Sequence, residues 1–98
     1  ATGSNPSTKE LEQGGIQAQA RRVFQNLDLI ARAGGSSLDQ ALKVTIFLTD
    51  IANDFAPMNE VFREFFPNDP PARSTVGVAA LARPGLLIEA EMIAAVPD

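Results

Sequence analysis

From Ile16 to Ala33 the apolar residues Ile16, Ala20, Val23, Leu27 and Ile30 recur at alternating intervals of four and three. That interval keeps them on one stripe of an α-helix, with Arg21, Arg22, Gln25 and Asp28 largely outside it. Gly34-Gly35 then supply the left-handed backbone on which helices end. Ser37-Leu38-Asp39-Gln40 has the spacing of a capping box and predicts a single helical turn.

The period then changes. Val44, Ile46 and Leu48 alternate with Lys43, Thr45, Phe47 and Thr49, which predicts a strand with one apolar and one mixed face. A second helix follows, with Asp54 as its N-cap and Pro57 in its first turn. Its stripe is Phe55, Met58, Phe62 and Phe65, widened by Val61 and Phe66, and Phe66-Pro67-Asn68-Asp69-Pro70-Pro71 stops it. Two more strands are expected at 73–80 and 86–96, joined through Arg83-Pro84-Gly85 as an antiparallel hairpin, with a short strand near Glu10-Leu11. This order predicts one α+β domain over residues 1–98, with both helices on one face of a small mixed sheet. The bare face would carry Phe47, Thr75, Gly77, Glu89 and Ile93 among others. A surface that is partly apolar and partly charged commonly meets another subunit.

Composition narrows the chemistry more than the fold. Ninety-eight residues that are 45% hydrophobic suit a small globular domain and not a disordered chain. The net charge of −4, without a basic run, argues against nucleic acid as a partner. No apolar run is long enough to span a bilayer, so no membrane partner is expected. Cysteine, histidine, tryptophan and tyrosine are all absent. Disulfides, Cys/His metal sites and every Ser-His or Cys-His nucleophile are thereby removed. Any catalysis must use carboxylates, arginine, lysine, hydroxyls, amides or backbone groups. The start, Ala1-Thr2-Gly3-Ser4-Asn5-Pro6-Ser7, is turn-rich and reads as a loop entered from something upstream.

Within those limits, Pro70-Pro71-Ala72-Arg73-Ser74-Thr75 stands out. It sets one arginine at a strand entry, directly after two residues that restrict the backbone. The planar guanidinium matches a carboxylate, so Arg73 is a candidate anion clamp; the alternative is an arginine that snorkels over a strand end. Glu89 and Glu91 are two apart on a strand and share a face, as a pair for acid/base work or as a solvated surface. Asn59 could orient a substrate or be plain surface, and Ser74 and Thr75 could donate to an anion or simply enter a strand. Gly14-Gly15 forms no phosphate loop.

Six blocks stand in one order: Ile16-Gln17-Ala18-Gln19-Ala20-Arg21 with Ala33-Gly34-Gly35-Ser36-Ser37-Leu38-Asp39; Lys43-Val44-Thr45-Ile46-Phe47-Leu48-Thr49-Asp50; Asn53-Asp54-Phe55; Asn59-Glu60-Val61-Phe62 with Phe65-Phe66; Pro71-Ala72-Arg73-Ser74-Thr75-Val76; and Ile88-Glu89-Ala90-Glu91. Together they resemble the RidA family, also called the YjgF or L-PSP endoribonuclease family, over nearly the whole chain. The resemblance implies a chorismate-mutase-like α+β fold assembled as a homotrimer with clefts between subunits. It implies hydrolysis of 2-imino acids and their enamine precursors, such as 2-aminoacrylate, 2-iminopropanoate and 2-iminobutanoate, to 2-oxo acids and ammonia. No cofactor and no metal are implied, and a cytoplasmic setting is expected.

In that scheme Arg73 resembles the arginine that clamps the substrate carboxylate. Glu89 resembles the glutamate that positions the attacking water, and Asn59 an asparagine lining the cleft. Thr75 stands where archetypal members carry a cysteine, a change compatible with imine hydrolysis because no covalent nucleophile is needed. The altered position also leaves room for a different imine or enamine substrate, and a non-catalytic small-carboxylate binder is the alternative of another class. Ribonuclease activity fits poorly with a chain that has no histidine and a net negative charge. Family chains begin with two further strands, so the domain is expected to be N-terminally incomplete.

Overall fold

Val44, Ile46 and Leu48 are fully buried, and the rest of the fold is arranged around the strand that carries them. The structure, a computed structural model, describes residues 1–98. Its elements are α1 (Gly15–Ala33), a 3-10 turn (Leu38–Gln40), β1 (Ala41–Leu48), α2 (Ile51–Phe65), β2 (Ala72–Gly77) and β3 (Ile88–Ala94). The class is α+β, as expected, with two helices and a mixed sheet.

The sheet order is β2-β1-β3. β2 lies parallel to β1, with α2 as the crossover that a parallel pair requires. β3 lies antiparallel to β1 on its other edge. The expected β2–β3 hairpin is therefore wrong. The Val78–Leu87 linker instead passes across the end of β1 and is tied to it from both sides. Val78 N–H donates to Leu48 C=O at 2.9 Å, and Thr49 N–H donates to Leu87 C=O at 3.2 Å. The turn at Arg83-Pro84-Gly85 is real, with Gly85 at φ +88°, but it sits inside this crossing.

Register also corrects the membership of the two faces. Val44 pairs with Arg73 and Ile46 with Thr75, so Arg73, Thr75 and Gly77 share the helix-covered face of the core. The bare face carries Phe47, Glu89 and Ile93 as expected, but Ser74 and Val76 replace Thr75 and Gly77 there. Gly77 is fixed by its surroundings. A Cβ at that position would stand 3.0 Å from Ile51 Cγ2 at the start of α2.

One apolar cluster joins the layers. α1 contributes Ala20, Val23, Phe24 and Leu27, and α2 contributes Met58, Val61 and Phe62. Phe24, outside the expected stripe, is fully buried and meets Phe62 and Phe66 edge-on, both with ring centroids at 5.9 Å. Ile30, inside the expected stripe, is 63% exposed and lines an open hollow with Leu29, Ala1 and Thr2.

The helix starts differ from expectation as well. Asp50, not Asp54, caps α2, accepting from Asn53 N–H at 3.4 Å and from Asn53 Nδ2 at 2.9 Å. Pro57 accordingly lies one turn deeper, inside the helix. Ser37 makes no side-chain cap, because its hydroxyl donates to the Asp39 carboxylate instead. Near Glu10-Leu11 there is only a single bridge, between Ser4 and Leu11. Ala1 and Thr2 pair with the outer edge of β3, Ala90 N–H donating to Ala1 C=O at 3.0 Å. No helix is long and apolar enough to cross a membrane.

Candidate active site

Arg73 enters β2 behind Pro70-Pro71, and the parallel register turns its side chain toward α2. There its Nη1 donates to Asn59 Oδ1 at 2.6 Å. The guanidinium carbon lies 4.4 Å from the centroid of the Phe62 ring and 5.5 Å from that of Phe55. Two aromatic faces and one amide thus fix the plane of a half-buried cation. Asn59 and Phe62 are three apart on α2, so one helix face supplies both contacts. The remaining guanidinium donors have no partner in the chain.

Arg73 also has no carboxylate. The ion pairs of the chain are Arg21–Glu64, Arg22–Glu12 and Arg32–Asp28. Burial first, and the charge of Arg63 second, push the Arg73 guanidinium below the ordinary arginine range. It stays protonated at physiological pH, but its charge is uncompensated, and an anion at this place would relieve both effects. A cleft of about 360 Å³ lies over it, lined by Asn59, Phe62, Arg63, Phe66, Pro70, Pro71 and Arg73. Its volume falls within the usual range for small-ligand sites.

A hollow of about 450 Å³ beside α1 is larger and is lined by Arg22, Asp28 and Arg32. Those three charges are already paired within the chain, which leaves the hollow without an unpaired cation to meet an anionic ligand. No group of His, Cys, Asp and Glu side chains is arranged to hold a metal ion.

Of the other candidates, Thr75 lies on the same face of β2 as Arg73, two residues on. Its hydroxyl is buried and has no hydrogen-bond partner. Glu89 is elsewhere. It sits on β3, opposite Phe47, and projects from the bare face. Within one chain, Arg73, Asn59 and Thr75 share the helix-covered face, and Glu89 does not join them. Arg63 is the lining residue that the sequence reading missed. Its signal was present: it follows Asn59 by four positions and so shares that helix face.

Comparison with known proteins bears directly on this geometry. The sequence profile of the family described as Endoribonuclease L-PSP matches residues 1–96. The chain belongs to the endoribonuclease L-PSP family. Among curated L-PSP relatives, the Schizosaccharomyces pombe protein mmf2, mitochondrial, is 51% identical over 84 residues, covering 84% of this chain and 66% of its own length. The 2-iminobutanoate/2-iminopropanoate deaminase of Dermatophagoides farinae is 41% identical over 81 residues, 83% of this chain and 62% of its own. The crystal structure of RidA from the Antarctic bacterium Psychrobacter sp. PAMC 21119 superposes with a TM-score of 0.87 at 43% identity. That match covers 95% of this chain and 73% of the other. The chain thus spans about two thirds of the length of these curated L-PSP relatives.

Proposed function

We propose that this L-PSP protein hydrolyses reactive 2-imino acids, and the enamines that tautomerise to them, to 2-oxo acids and ammonia. The observation that carries the reading is Arg73: a half-buried, oriented guanidinium with no carboxylate of its own. The deaminase names of relatives at 37–41% identity support the substrate class.

The chemistry asks little of a protein without histidine or cysteine. Arg73 holds the substrate carboxylate through the donors that Asn59 leaves free, and Asn59 acts as a positioning residue. A water oriented by Glu89 adds to the imine carbon. As its oxygen forms the C–O bond, the C=N π pair moves onto nitrogen, which takes up a proton. Glu89 accepts the proton of the attacking water. In the collapse of the resulting carbinolamine, Glu89 returns its proton to the departing nitrogen and the hydroxyl loses its proton to water, so that the C=O bond forms, the C–N bond breaks and ammonia leaves. Water supplies the oxygen and the protons balance, so no cofactor enters the equation. Thr75 follows the clamp by two residues on the same face of β2, and we assign it to the imine end of the site.

Because Glu89 and Arg73 project from opposite faces, the proposal includes a second copy: Glu89 of one subunit completes the Arg73 cleft of its neighbour. A homotrimer is the assembly we propose, and two observations support an interface. The bare face exposes Val76 (41%) and Ile93 (65%), and no strand covers the outer edge of β2. Sedimentation would show the trimer directly. We place the activity in the cytoplasm.

A second reading has one observation in its favour. A single chain holds the clamp without Glu89, which is the arrangement of a non-catalytic carboxylate binder. The deciding experiment follows 2-iminopropanoate generated by an amino-acid oxidase, with a trapping reagent for the imine. Loss of trapped imine in the presence of the protein, abolished by Arg73→Ala, supports the deaminase. Carboxylate binding without acceleration supports the binder.

A further inference from the structure

The Arg73 cleft contains a second unpaired cation, and nothing in the three-carbon imine chemistry above uses it. Arg63 lines the same cleft and makes no ion pair and no side-chain hydrogen bond. It lies one helical turn beyond Asn59, roughly 6 Å further along α2. Its charge is felt at Arg73, where it opposes the protonated guanidinium.

The acidic residues near the cleft are turned away from it. Glu60 accepts from Gln17 Nε2 at 3.0 Å, and Glu64 pairs with Arg21 at 2.9 Å, so both glutamates of this half of α2 are committed to α1. Asp69, next to Pro70, faces a separate hollow with Leu38 and Asp39. In a chain of net charge −4, the cleft therefore holds two guanidinium groups and no carboxylate. A single monoanion neutralises only one of them. Placement in the last turn of α2 accounts for a cation at position 63 through the helix dipole, but not for the clearing of every carboxylate around it.

We propose that Arg63 is a specificity-determining residue that binds a second anionic group on the substrate. The preferred substrates are then 2-imino acids carrying a distal carboxylate, the imines formed by oxidation of acidic amino acids. Arg73 takes the carboxylate next to the imine carbon and Arg63 takes the distal one. Phe62, Phe66, Pro70 and Pro71 wall the space between. This assignment rests on the Arg73 reading above and extends it to substrate class. The volume of about 360 Å³ is far more than a three-carbon acid fills, and leaves room for the longer chain.

The test needs no turnover. Calorimetric titration of the assembled protein with 2-oxobutanoate and 2-oxoglutarate compares one carboxylate with two in the product class. The expected result is at least tenfold tighter binding of 2-oxoglutarate. Arg63→Gln should remove that preference by weakening 2-oxoglutarate binding at least tenfold more than it weakens 2-oxobutanoate binding, and Arg63→Lys should restore part of it. Arg63 is exposed, so these variants keep the fold. Equal affinities for the two acids, or a preference that survives in Arg63→Gln, overturns the proposal. Arg73→Ala separates the two claims. If it abolishes binding of both acids while Arg63→Gln changes neither, the clamp stands and the second site falls. If Arg73→Ala changes neither, both fall. Kinetic comparison of imines generated by an aspartate or glutamate oxidase and by an alanine oxidase should show the same ratio in kcat/KM.

Discussion

Arg73 and Glu89 stand on either side of β1 and on opposite faces of the sheet, Arg73 opposite Val44 and Glu89 opposite Phe47. The helix layer lies on the Arg73 side and open surface on the Glu89 side. No side-chain rotation can bring the two groups around a common substrate within one chain. The clamp and the water-positioning carboxylate that we propose meet only if a second copy supplies one of them.

The Arg73–Asn59 bond should matter for binding more than for folding. A hydrogen bond to a charged group contributes about 1.5–3 kcal/mol. Asn59→Ala should lower kcat/KM by roughly tenfold to a hundredfold, mostly through KM. Asn59→Asp should cost more, because it gives the guanidinium a carboxylate that competes with the substrate. An unchanged KM in both variants would remove Asn59 from the site.

Gln19 is the buried polar residue of the core and holds the entry to β3. It is 5% exposed, its Oε1 accepts from Leu87 N–H at 2.9 Å, and its Nε2 donates to Gly85 C=O at 3.0 Å. Gly3 packs so closely that a Cβ there would come within 2.8 Å of Gln19 Cβ. Gln19→Leu leaves both backbone groups without partners and should destabilise the protein by about 2 kcal/mol. Urea denaturation measures this directly. A change under about 0.5 kcal/mol would show that water or rearrangement satisfies them.

Stability should fall in acid through Asp28. Its Oδ2 accepts from Arg32 Nε at 2.8 Å and its Oδ1 from Leu38 N–H at 2.8 Å. Arg32 first, then the Leu38 N–H, hold its carboxyl below the usual aspartate range against some burial. A folded pKa below the unfolded one gives stability that is present above the unfolded value. That stability is lost as pH falls through the depressed folded value. Asp54 has the opposite sign: burial, then Asp50, push it up, so its ionised form costs stability, which returns as pH falls through its raised value. Asp28→Asn should reduce stability by about 1 kcal/mol near neutrality. It should also flatten the acid limb of a denaturation series from about pH 7 to about pH 3. An unaltered limb would contradict the staple between α1 and the turn before β1.

Much of this was legible in the chain, and the misses share a cause. The helical period of α1, its end at Gly34-Gly35 and the Val44-Ile46-Leu48 alternation are local signals, and all three elements appear. Phe24 and not Ile30 joins the core stripe, however, and Gly35 alone takes the left-handed backbone. The entry of Arg73 into a strand also appears, since Pro70-Pro71 sets an extended backbone by local restriction immediately before it. Strand pairing is not local. Arg83-Pro84-Gly85 announces a turn without saying which strand the chain joins next, and β1 outcompeted β2 as the partner of β3. The same omission put Thr75 on the wrong face, because only the β1–β2 register assigns it. Asp50 was missed as a cap since Asp54 offers the same chemistry one turn later. Arg73 was thus readable as a strand-entry arginine, but its partners Asn59 and Phe62 and its separation from Glu89 required the fold.

Mixing two inactive variants tests the central claim most directly. Arg73→Ala and Glu89→Gln should each abolish imine hydrolysis when alone. Unfolded together in equal amounts and refolded, they form mixed assemblies. If each site takes Arg73 from one subunit and Glu89 from its neighbour, one site in four receives both intact residues. The account predicts recovery of about a quarter of wild-type activity. Activity no higher than that of either variant alone, from mixtures shown to contain mixed assemblies, would contradict it.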